Sequence, residues 1–550
     1  MKIHKNIQRV LAVLALSILF SSCDSYIEEE IYSDITSENF INEDNADQLI
    51  VGVYTATRSV YRNHGYKFAG TDIFTSQQEV FSFSSENDYN TFNAPETNGL
   101  WTSNYNVIAK ANTAINRYEN QISWSDGNLS NKANGIAQAK ALRALAFFNL
   151  AQQYGGVVLD LEEPQTIRTD YTRSTEEATF ALIISELEEA IPVLQVTPEE
   201  TGRFSARAAQ HLLAEVYLTR AYTSFAETSD FQTAADLAVE AIGGYDIRSQ
   251  SFAEVFDYDN QVNPEILFAA QWGDTGFAED RNNNKHSLFM TGVQELPGVS
   301  RSNPYGVQGN QLMPTPYFYS LFDANDTRED VTVHRVIYAD EEGFAVGDDT
   351  IAVGDTLVYF PREAIDLAEL TDRLDRYWVY QPDQYLFGRP ENIAGVNYQY
   401  TANPLFTNFP IMKKFDDKVY QDENGGARDT FIFRIAETHL IAAEAFLGAG
   451  NTAQALFHLN RVRERATGVA NQYATIDLDI ILEERALELI GESNRWAVLK
   501  RMGKLEERIN LYNPHVMDHG AFNAAKHLLR PIPIRELEIS PETMEQNPNY

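Results

Sequence analysis

Two matching helix pairs are the feature that most constrains how this chain folds. The first pair covers residues 206–225 and 231–242, and the second covers 431–449 and 452–467. In each pair the first helix combines small residues with an acid, as LLAEVYL or IAAEAFL, and an alanine-rich helix follows a short turn. Small residues at helical spacing let two helices approach closely, as tetratricopeptide-like repeats require. The pattern predicts about four degenerate pairs, although a plain helical bundle is also compatible with it.

The segment between these pairs has a different character. Strands are predicted at 265–271, 331–338 and 356–360, separated by loops rich in Gly, Asn, Pro and Asp. The expected fold class is therefore mainly α, a tetratricopeptide-like helical repeat scaffold with a loop-rich, partly β insertion. Because long irregular segments within a compact protein usually carry function, the variable binding region is expected at about 250–430.

Apolar periodicity predicts further helices N-terminal to the first pair. They cover 45–60, 108–118, 136–154 and 175–191. Near the C-terminus, Trp496 is expected to lie in the core. The acids Glu483, Glu484 and Glu488 are expected to pair with nearby bases at Arg495, Lys500 and Arg501.

The N-terminal residues have the organisation of a lipoprotein signal. Three basic residues precede an apolar stretch at 10–20, and Cys23, the only cysteine, follows two serines. This pattern predicts a signal peptide at 1–22, an acylated Cys23 with a tether at 23–44, and a single globule at 45–550. An ordinary signal peptide followed by an incidental free cysteine is the alternative. Because the apolar stretch is too short to cross a bilayer, the chain is expected to be anchored by lipid.

The net charge excludes one class of partner. The chain carries 43 Lys and Arg against 79 Asp and Glu, a formal net charge of −36 at pH 7. Phosphate backbones would be repelled by such a surface, so nucleic acid is not expected as a partner. With one cysteine, neither a disulfide nor a thiolate metal site forms within the chain.

Catalytic and metal-binding patterns are not found in the sequence. The ten histidines form no pair at zinc spacing, and no phosphate loop, dinucleotide fingerprint or nucleophile elbow occurs. The chain is therefore expected to be no enzyme and to need no cofactor. Asp323, Asn325 and Asp326 form a weak calcium candidate. Since the glycine and final glutamate of an EF-hand loop are missing, a solvated acidic turn is the preferred interpretation.

Several stretches, in order and spacing, resemble the SusD/RagB family of outer-membrane nutrient-binding lipoproteins. Besides the lipoprotein signal, they are LWTSNYNVIAKAN at 100–112, LRALAFFNLAQQYGGVVL at 142–159, GRFSARAAQHLLAEVYL at 202–218, NPEILFAAQW at 263–272, FRIAETHLIAAEAF at 433–446, LNRVRERATG at 459–468, ILEERALELIGESNRWAVLKRMGKL at 481–505 and LLRPIPIRELEISPETMEQNPNY at 528–550. The matching stretches run nearly end to end.

This resemblance implies a helical repeat scaffold that cradles a variable aromatic region. It also implies surface exposure at the outer membrane and partnership with a SusC-like TonB-dependent transporter, which imports the captured oligosaccharide or polysaccharide. No catalysis is implied. Capture of a peptide by the same transporter type is the first alternative, and a surface glycoside hydrolase is a less favoured one.

A sugar binds through its C–H faces to aromatic rings and through its hydroxyls to flanking polar side chains. Exposed rings in polar loops are therefore the candidate contacts. The candidates are Tyr377, Trp378, Tyr380, Tyr385, Tyr305 and Tyr89, with Arg301 and Asn303 as hydrogen-bonding partners. For any one of these rings, burial in the core is the alternative.

Overall fold

The fold is known from a computed structural model of the chain. It describes residues 42–62, 65–75, 86–87, 89, 94–273, 283–290, 298–300, 304–305, 312–342, 345–346, 349–374, 377–382, 409–419, 425–519 and 521–550. Cys23 and the predicted signal and tether up to residue 41 lie outside these ranges. Among the described residues, no helix combines the length and apolar character needed to cross a bilayer.

Helices make up most of the described chain. They are α1 (Asp47–Arg62), α2 (Ala94–Asn120), α3 (Leu129–Tyr154), α4 (Glu176–Ala190), α5 (Ala206–Arg220), α6 (Asp230–Ile242), α7 (Phe252–Val255), α8 (Lys285–Leu288), α9 (Pro316–Ser320), α10 (Arg328–Thr332), α11 (Leu367–Leu374), α12 (Ile435–Gly448), α13 (Thr452–Thr467), α14 (Leu478–Leu489), α15 (Arg495–Arg501), α16 (Leu505–Tyr512), α17 (Pro514–His519), α18 (Ala524–His527) and α19 (Ile534–Ile539). The mainly α fold class is confirmed.

The strands are short and lie in small sheets. They are β1 (Phe74–Thr75), β2 (Ile266–Ala270), β3 (Met313–Pro314), β4 (Val333–His334), β5 (Val336–Tyr338), β6 (Ala345–Val346), β7 (Asp349–Thr350), β8 (Thr356–Tyr359), β9 (Trp378–Val379), β10 (Ile411–Met412) and β11 (Thr430–Arg434). Antiparallel pairs join β1 to β3, β4 to β10, β2 to β11 and β6 to β7, and β8 lies between β5 and β9.

Successive helices pack side by side from α1 to α6, and α12 then packs against α6 and α13. The two helix pairs predicted from the sequence are therefore neighbours in one layer, although about 190 residues separate them in the chain. Ala214, Ala238 and Ala442 are fully buried where α5, α6 and α12 meet. A Cβ added at Gly448 would lie 2.3 Å from the Phe231 ring, so these small residues permit the close approach.

The ends of the predicted binding region are joined by the pairing of β2 with β11. Ala270 lies opposite Thr430, and Ile266 lies opposite Arg434. The predicted helix at 431–449 is wrong in its first turn, because those residues form β11 and the helix begins at Ile435. The β-branched and aromatic residues of TFIFR favour a strand, and the pairing with β2 satisfies their backbone groups.

A buried ionic network fastens this region to the repeat helices. Arg328 of α10 donates to Glu484 at 2.7 Å and to Glu488 at 3.1 Å, both on α14. Arg434 of β11 reaches Glu265 at 2.5 Å and the same Glu488 at 3.0 Å. Their side chains are at most 1% exposed. The predicted pairing of the α14 acids with Arg495, Lys500 and Arg501 is wrong. Arg495 pairs with Asp72, Arg501 pairs with Glu444, and Lys500 donates to the carbonyl of Gln152.

Candidate ligand-binding cleft

Three of the predicted binding rings belong to the core. Tyr89, Tyr305 and Tyr380 are only 1%, 3% and 5% exposed. Tyr89 donates its hydroxyl to the carbonyl of Gly70 at 2.7 Å, and Tyr380 stacks on Phe360 with 5.7 Å between ring centroids. The expectation that these rings form exposed platforms is wrong, because all three rings are buried in the core and offer no accessible face to a sugar.

The other predicted contacts are only partly covered by the structure. Tyr377 is half-buried, and the backbone of Trp378 pairs in parallel with Val358 of β8. The ring of Trp378, like Arg301, Asn303 and Tyr385, lies outside the described residues. A role in ligand binding stays a prediction for these residues.

The acidic loop considered for calcium is engaged by arginines instead. Asp326 is 2% exposed, and Arg328 binds both of its carboxylate oxygens, at 2.9 and 2.7 Å. Arg463 adds a contact to Asp326 at 3.0 Å and also pairs with Asp323. Since guanidinium groups occupy the oxygens that a cation would need, the loop does not fit the calcium interpretation. The predicted solvated turn is found at Asp323 and Asn325, which are exposed, but not at Asp326, which is buried.

One histidine pair was missed by the sequence analysis. His439 of α12 and His458 of α13 are buried, and their Nδ1 atoms lie 3.0 Å apart. Burial lowers the pKa of both rings, that of His458 to about 4. The pair links two repeat helices. Within the described part of the chain, no group of three His, Cys, Asp or Glu residues is arranged to hold a metal ion.

A cleft of about 510 Å³ lies where the 250–430 region leaves and re-enters the helical scaffold, and we call it the Trp272 cleft. One wall is a face of α1, and the opposite wall combines the loop before α5 with the end of β2 and the start of β11. The lining residues include Val51, Tyr54, Thr55, Arg58, Glu200, Gly202, Arg203, Gln261, Val262, Phe268, Gln271, Trp272 and Asp429. Pockets of this size are typical of sites for small ligands.

The α1 wall follows from helical periodicity. Val51, Thr55 and Arg58 recur at i, i+4 and i+7, so they share one face of the helix. Val53 and Val60 lie on the other face and are buried in the core. The same helix thus contributes an apolar face to the fold and a mixed, accessible face to the cleft.

Trp272 is the aromatic centre of the cleft and follows β2 directly. Its ring is half-buried, and the guanidinium of Arg58 lies 5.8 Å from the ring centroid. Its backbone N–H donates to Asp429 at 2.9 Å, and its indole Nε1 donates to Thr430 at 3.4 Å. Because these bonds go to residues at the start of β11, the strand pairing fixes the position of the ring.

Asp429 is the acid of the cleft that bonds to Trp272. Burial raises the pKa of Asp429 to about 6, although the Trp272 N–H bond and the charge of Arg428 oppose this shift. Its own backbone N–H donates to the side-chain oxygen of Gln261 at 2.5 Å. The carboxyl group therefore changes its charge in a mildly acidic range, next to the aromatic ring.

Tyr54 and Gly202 shape the remaining walls. The Tyr54 hydroxyl donates to Gln138 at 2.7 Å and accepts the backbone N–H of Phe204 at 2.7 Å, which fixes the loop before α5. Gly202 has φ +85°, and a Cβ there would lie 2.2 Å from Oε1 of Gln271. Only glycine lets the Gln271 amide pack against this loop.

The arrangement suits recognition of an uncharged polar ring. An indole face offers contact to C–H groups, while the amides of Gln261 and Gln271 and the carboxyl of Asp429 provide donors and acceptors around it. In the sequence, Trp272 stands out only as the last residue of the family-like stretch at 263–272, and Arg58 and Asp429 were not predicted as site residues. One signal in the sequence could have indicated this site. Trp272 directly follows the strand predicted at 265–271, at the edge of the irregular region.

Comparison with known proteins identifies the relatives of this fold. The profile of the SusD family matches residues 264–550, and a second profile, described as starch-binding associating with outer membrane, matches residues 25–218. A SusD-like protein of Bacteroides ovatus is 25% identical over 513 residues, covering 89% of this chain and 81% of the relative. SusD-like protein P25 of Formosa agariphila is 24% identical over 580 residues, with 98% of both chains covered.

Solved structures share the fold. A laminarin binding SusD-like protein superposes with a TM-score of 0.66 at 23% identity, covering 92% of this chain and 100% of that one. Surface glycan-binding protein A from Bacteroides thetaiotaomicron, in complex with laminarihexaose, gives a TM-score of 0.67 at 17% identity with the same coverage.

Proposed function

The chain belongs to the SusD family, and we propose that it is a cell-surface glycan-binding lipoprotein that captures an oligosaccharide or polysaccharide. It binds the glycan without cleaving it and delivers it to a partner TonB-dependent outer-membrane transporter of the SusC type. The observation that carries the proposal is the Trp272 cleft, in which an accessible indole lies among amide, guanidinium and carboxyl groups.

Two lines of support bear on the ligand. Laminarin and laminarihexaose are the ligands of two proteins that share this fold. A neutral glycan also avoids the repulsion that an anionic ligand would meet at a chain with net charge −36.

The anchoring proposal rests on Cys23. The pattern around it predicts acylation, and one matching profile is described by association with the outer membrane. Metabolic labelling with a palmitate analogue is expected to mark the wild-type chain and not the Cys23→Ala variant. Equal labelling of both would disprove acylation at this residue.

The test of capture uses the soluble chain lacking residues 1–23. A glycan array identifies a binder, and isothermal titration calorimetry then compares variants. Trp272→Ala is expected to weaken binding about 30-fold, a loss of about 2 kcal/mol, which is typical for an aromatic anchor. Trp124→Ala is the matched control, since Trp124 is half-buried and lies outside this cleft.

Two results would reject the proposal. If Trp272→Ala bound the glycan with wild-type affinity, the Trp272 cleft would not be the glycan site. If shorter oligosaccharides were released during incubation, the chain would be an enzyme. Tyr377, Trp378, Tyr385, Arg301 and Asn303 are proposed as further contacts. Trp378→Ala belongs in the same titration, with weakened binding and nearly unchanged thermal unfolding expected.

A further inference from the structure

A second accessible cleft adjoins the Trp272 cleft, and we call it the Trp124 cleft. Its volume is about 360 Å³, and it shares Glu200 and Arg203, from the loop before α5, with the Trp272 cleft. Its other walls come from the entry to α1, from the loop between α2 and α3, and from α3 itself. The two clefts therefore meet at the loop before α5.

Helix α1 forms a continuous wall along both clefts. Asp47 lines the Trp124 cleft, and Val51, Thr55 and Arg58 line the Trp272 cleft. Because these residues recur at i, i+4, i+8 and i+11, they share one face of the helix. With a rise of about 1.5 Å per residue, this face extends about 17 Å from Asp47 to Arg58. The clefts thus follow one another along the helix and form one groove.

The junction between the clefts is polar, but its charges are paired. Arg203 binds Asp47 and Glu200, each at 2.6 Å, and its guanidinium lies 5.5 Å from the ring centroid of Tyr54. The side chain of Arg203 is 16% exposed, so the ion pairs form a floor between the clefts. Because each of these charges has a partner within the chain, the junction favours the hydroxyl groups of a neutral ligand over an ion.

Trp124 gives the second cleft an aromatic ring in a fixed position. Its indole Nε1 donates to the carbonyl of Tyr118 at 2.9 Å, and the two ring centroids lie 5.1 Å apart. The adjacent Ser125 donates its N–H and its hydroxyl to Glu43 at 2.8 and 2.9 Å, which ties this loop to the chain before α1. Since the nitrogen of this half-buried ring is already bonded, the ring offers carbon surface to a ligand.

Amide side chains surround this ring, as they do in the Trp272 cleft. They are Asn131, Asn134 and Gln138 of α3, together with Gln195. Each amide can both donate and accept a hydrogen bond, so the set suits hydroxyl groups in either role. A tryptophan with flanking amides thus occurs twice along the groove, which indicates two positions for the same kind of ligand unit.

We propose that the two clefts form one groove that binds a single linear glycan chain, with one sugar unit at Trp272, another at Trp124 and the intervening units over the Arg203 ion pairs. This inference rests on the proposed function, because it extends the captured glycan beyond the Trp272 cleft. The ligand class that it names is a glycan long enough to span the groove. Trp124→Ala is accordingly a control for the Trp272 cleft only with ligands that are too short to reach both rings.

The test uses the full-length chain in detergent and a series of oligosaccharides, from the disaccharide upward, hydrolysed from the glycan that binds best on the array. Isothermal titration calorimetry is expected to show that affinity rises at least tenfold between the disaccharide and chains that span the groove. Asn131→Trp fills the Trp124 cleft from an exposed position of α3 and is expected to abolish this rise. Ala133→Trp, also exposed on α3 but outside the cleft, is expected to retain it.

Other outcomes overturn the groove. Equal affinity for all lengths, or a full rise with length in Asn131→Trp, would confine the glycan to the Trp272 cleft and leave the proposed function intact. Loss of the rise in Ala133→Trp as well would show that a bulky side chain on α3, and not occupation of the Trp124 cleft, causes the effect. Wild-type affinity of Trp272→Ala for every length would refute the proposed function and the groove together.

Discussion

Replacing Asp429 by asparagine is expected to stabilise the chain in a pH-dependent manner. The carboxyl group is partly buried beside Trp272, and desolvation raises the pKa of Asp429 from 3.8 to about 6. Asparagine keeps an oxygen that can accept the Trp272 N–H now bonded at 2.9 Å, but it never carries the charge. The comparison therefore isolates the free energy of holding a charged carboxylate at this partly buried position.

The direction in which stability changes with pH follows from the protons that Asp429 binds in the folded and unfolded states. Between pH 3.8 and about 6, the folded state keeps a proton on Asp429 that the unfolded state has released. Stability of the wild type therefore falls as the pH rises through this window and stays low above it. A separation of about two pH units corresponds to about 3 kcal/mol when it is fully developed. The variant is expected to exceed the wild type by about 1.5 kcal/mol at pH 5 and by about 3 kcal/mol at pH 7.

Urea unfolding at pH 5, 6, 7 and 8 measures this difference directly. Asp126→Asn removes one carboxylate from an exposed surface turn and serves to subtract the effect of net charge. A difference between Asp429→Asn and wild type that is constant across the series, or that shrinks as the pH rises, would refute the argument. In that case, Asp429 would be adequately solvated or paired in the folded chain.

Three further predictions concern packing and the ionic network. Glu488→Gln is expected to lower the free energy of unfolding, measured with urea, by about 3–5 kcal/mol, because three arginines lose a buried counter-charge. The control Glu506→Gln, on the surface of α16, is expected to change it by less than about 0.5 kcal/mol. Gly448→Ala is expected to lower stability by about 1–3 kcal/mol through its clash with Phe231, a result that unchanged thermal unfolding would contradict. Gly202→Ala is expected to weaken glycan binding by moving Gln271, and calorimetry showing wild-type affinity would exclude that role.

Local periodicity predicted the helices well because each one buries a continuous apolar face. The predicted helix at 175–191 corresponds to Glu176–Ala190, and the one at 231–242 to Asp230–Ile242. The core position of Trp496, which is 1% exposed, was also predicted correctly. Helix positions and buried helix faces depend on residues that are close in sequence, and the apolar periodicity reflects those residues directly.

Contacts between distant segments were not predictable in this way. Glu488 binds Arg328, 160 residues away, rather than the bases that follow it in sequence. Trp272 and Asp429 are 157 residues apart and meet only through strand pairing. Burial of the aromatic rings was not predictable for the same reason. Tyr89 and Tyr305 have polar neighbours in sequence, which suggested exposure, but residues from other parts of the chain bury both rings.

The position of the Trp272 cleft explains how one scaffold can tolerate variation in its binding region. Within the predicted binding region at about 250–430, Trp272 directly follows β2 and Asp429 directly precedes β11, and the β2–β11 pairing holds these two ends of the intervening chain together. Burying Glu488 among basic side chains raises the free energy needed to separate this region from α14. Burial alone would raise the pKa of Glu488, and the charges of Arg465, Arg434, Arg328 and Lys414 hold it below its ordinary value. Substitutions in the loops between these two ends therefore leave the ring and the acid in place, so changes of ligand preference can arise there without loss of the cleft itself.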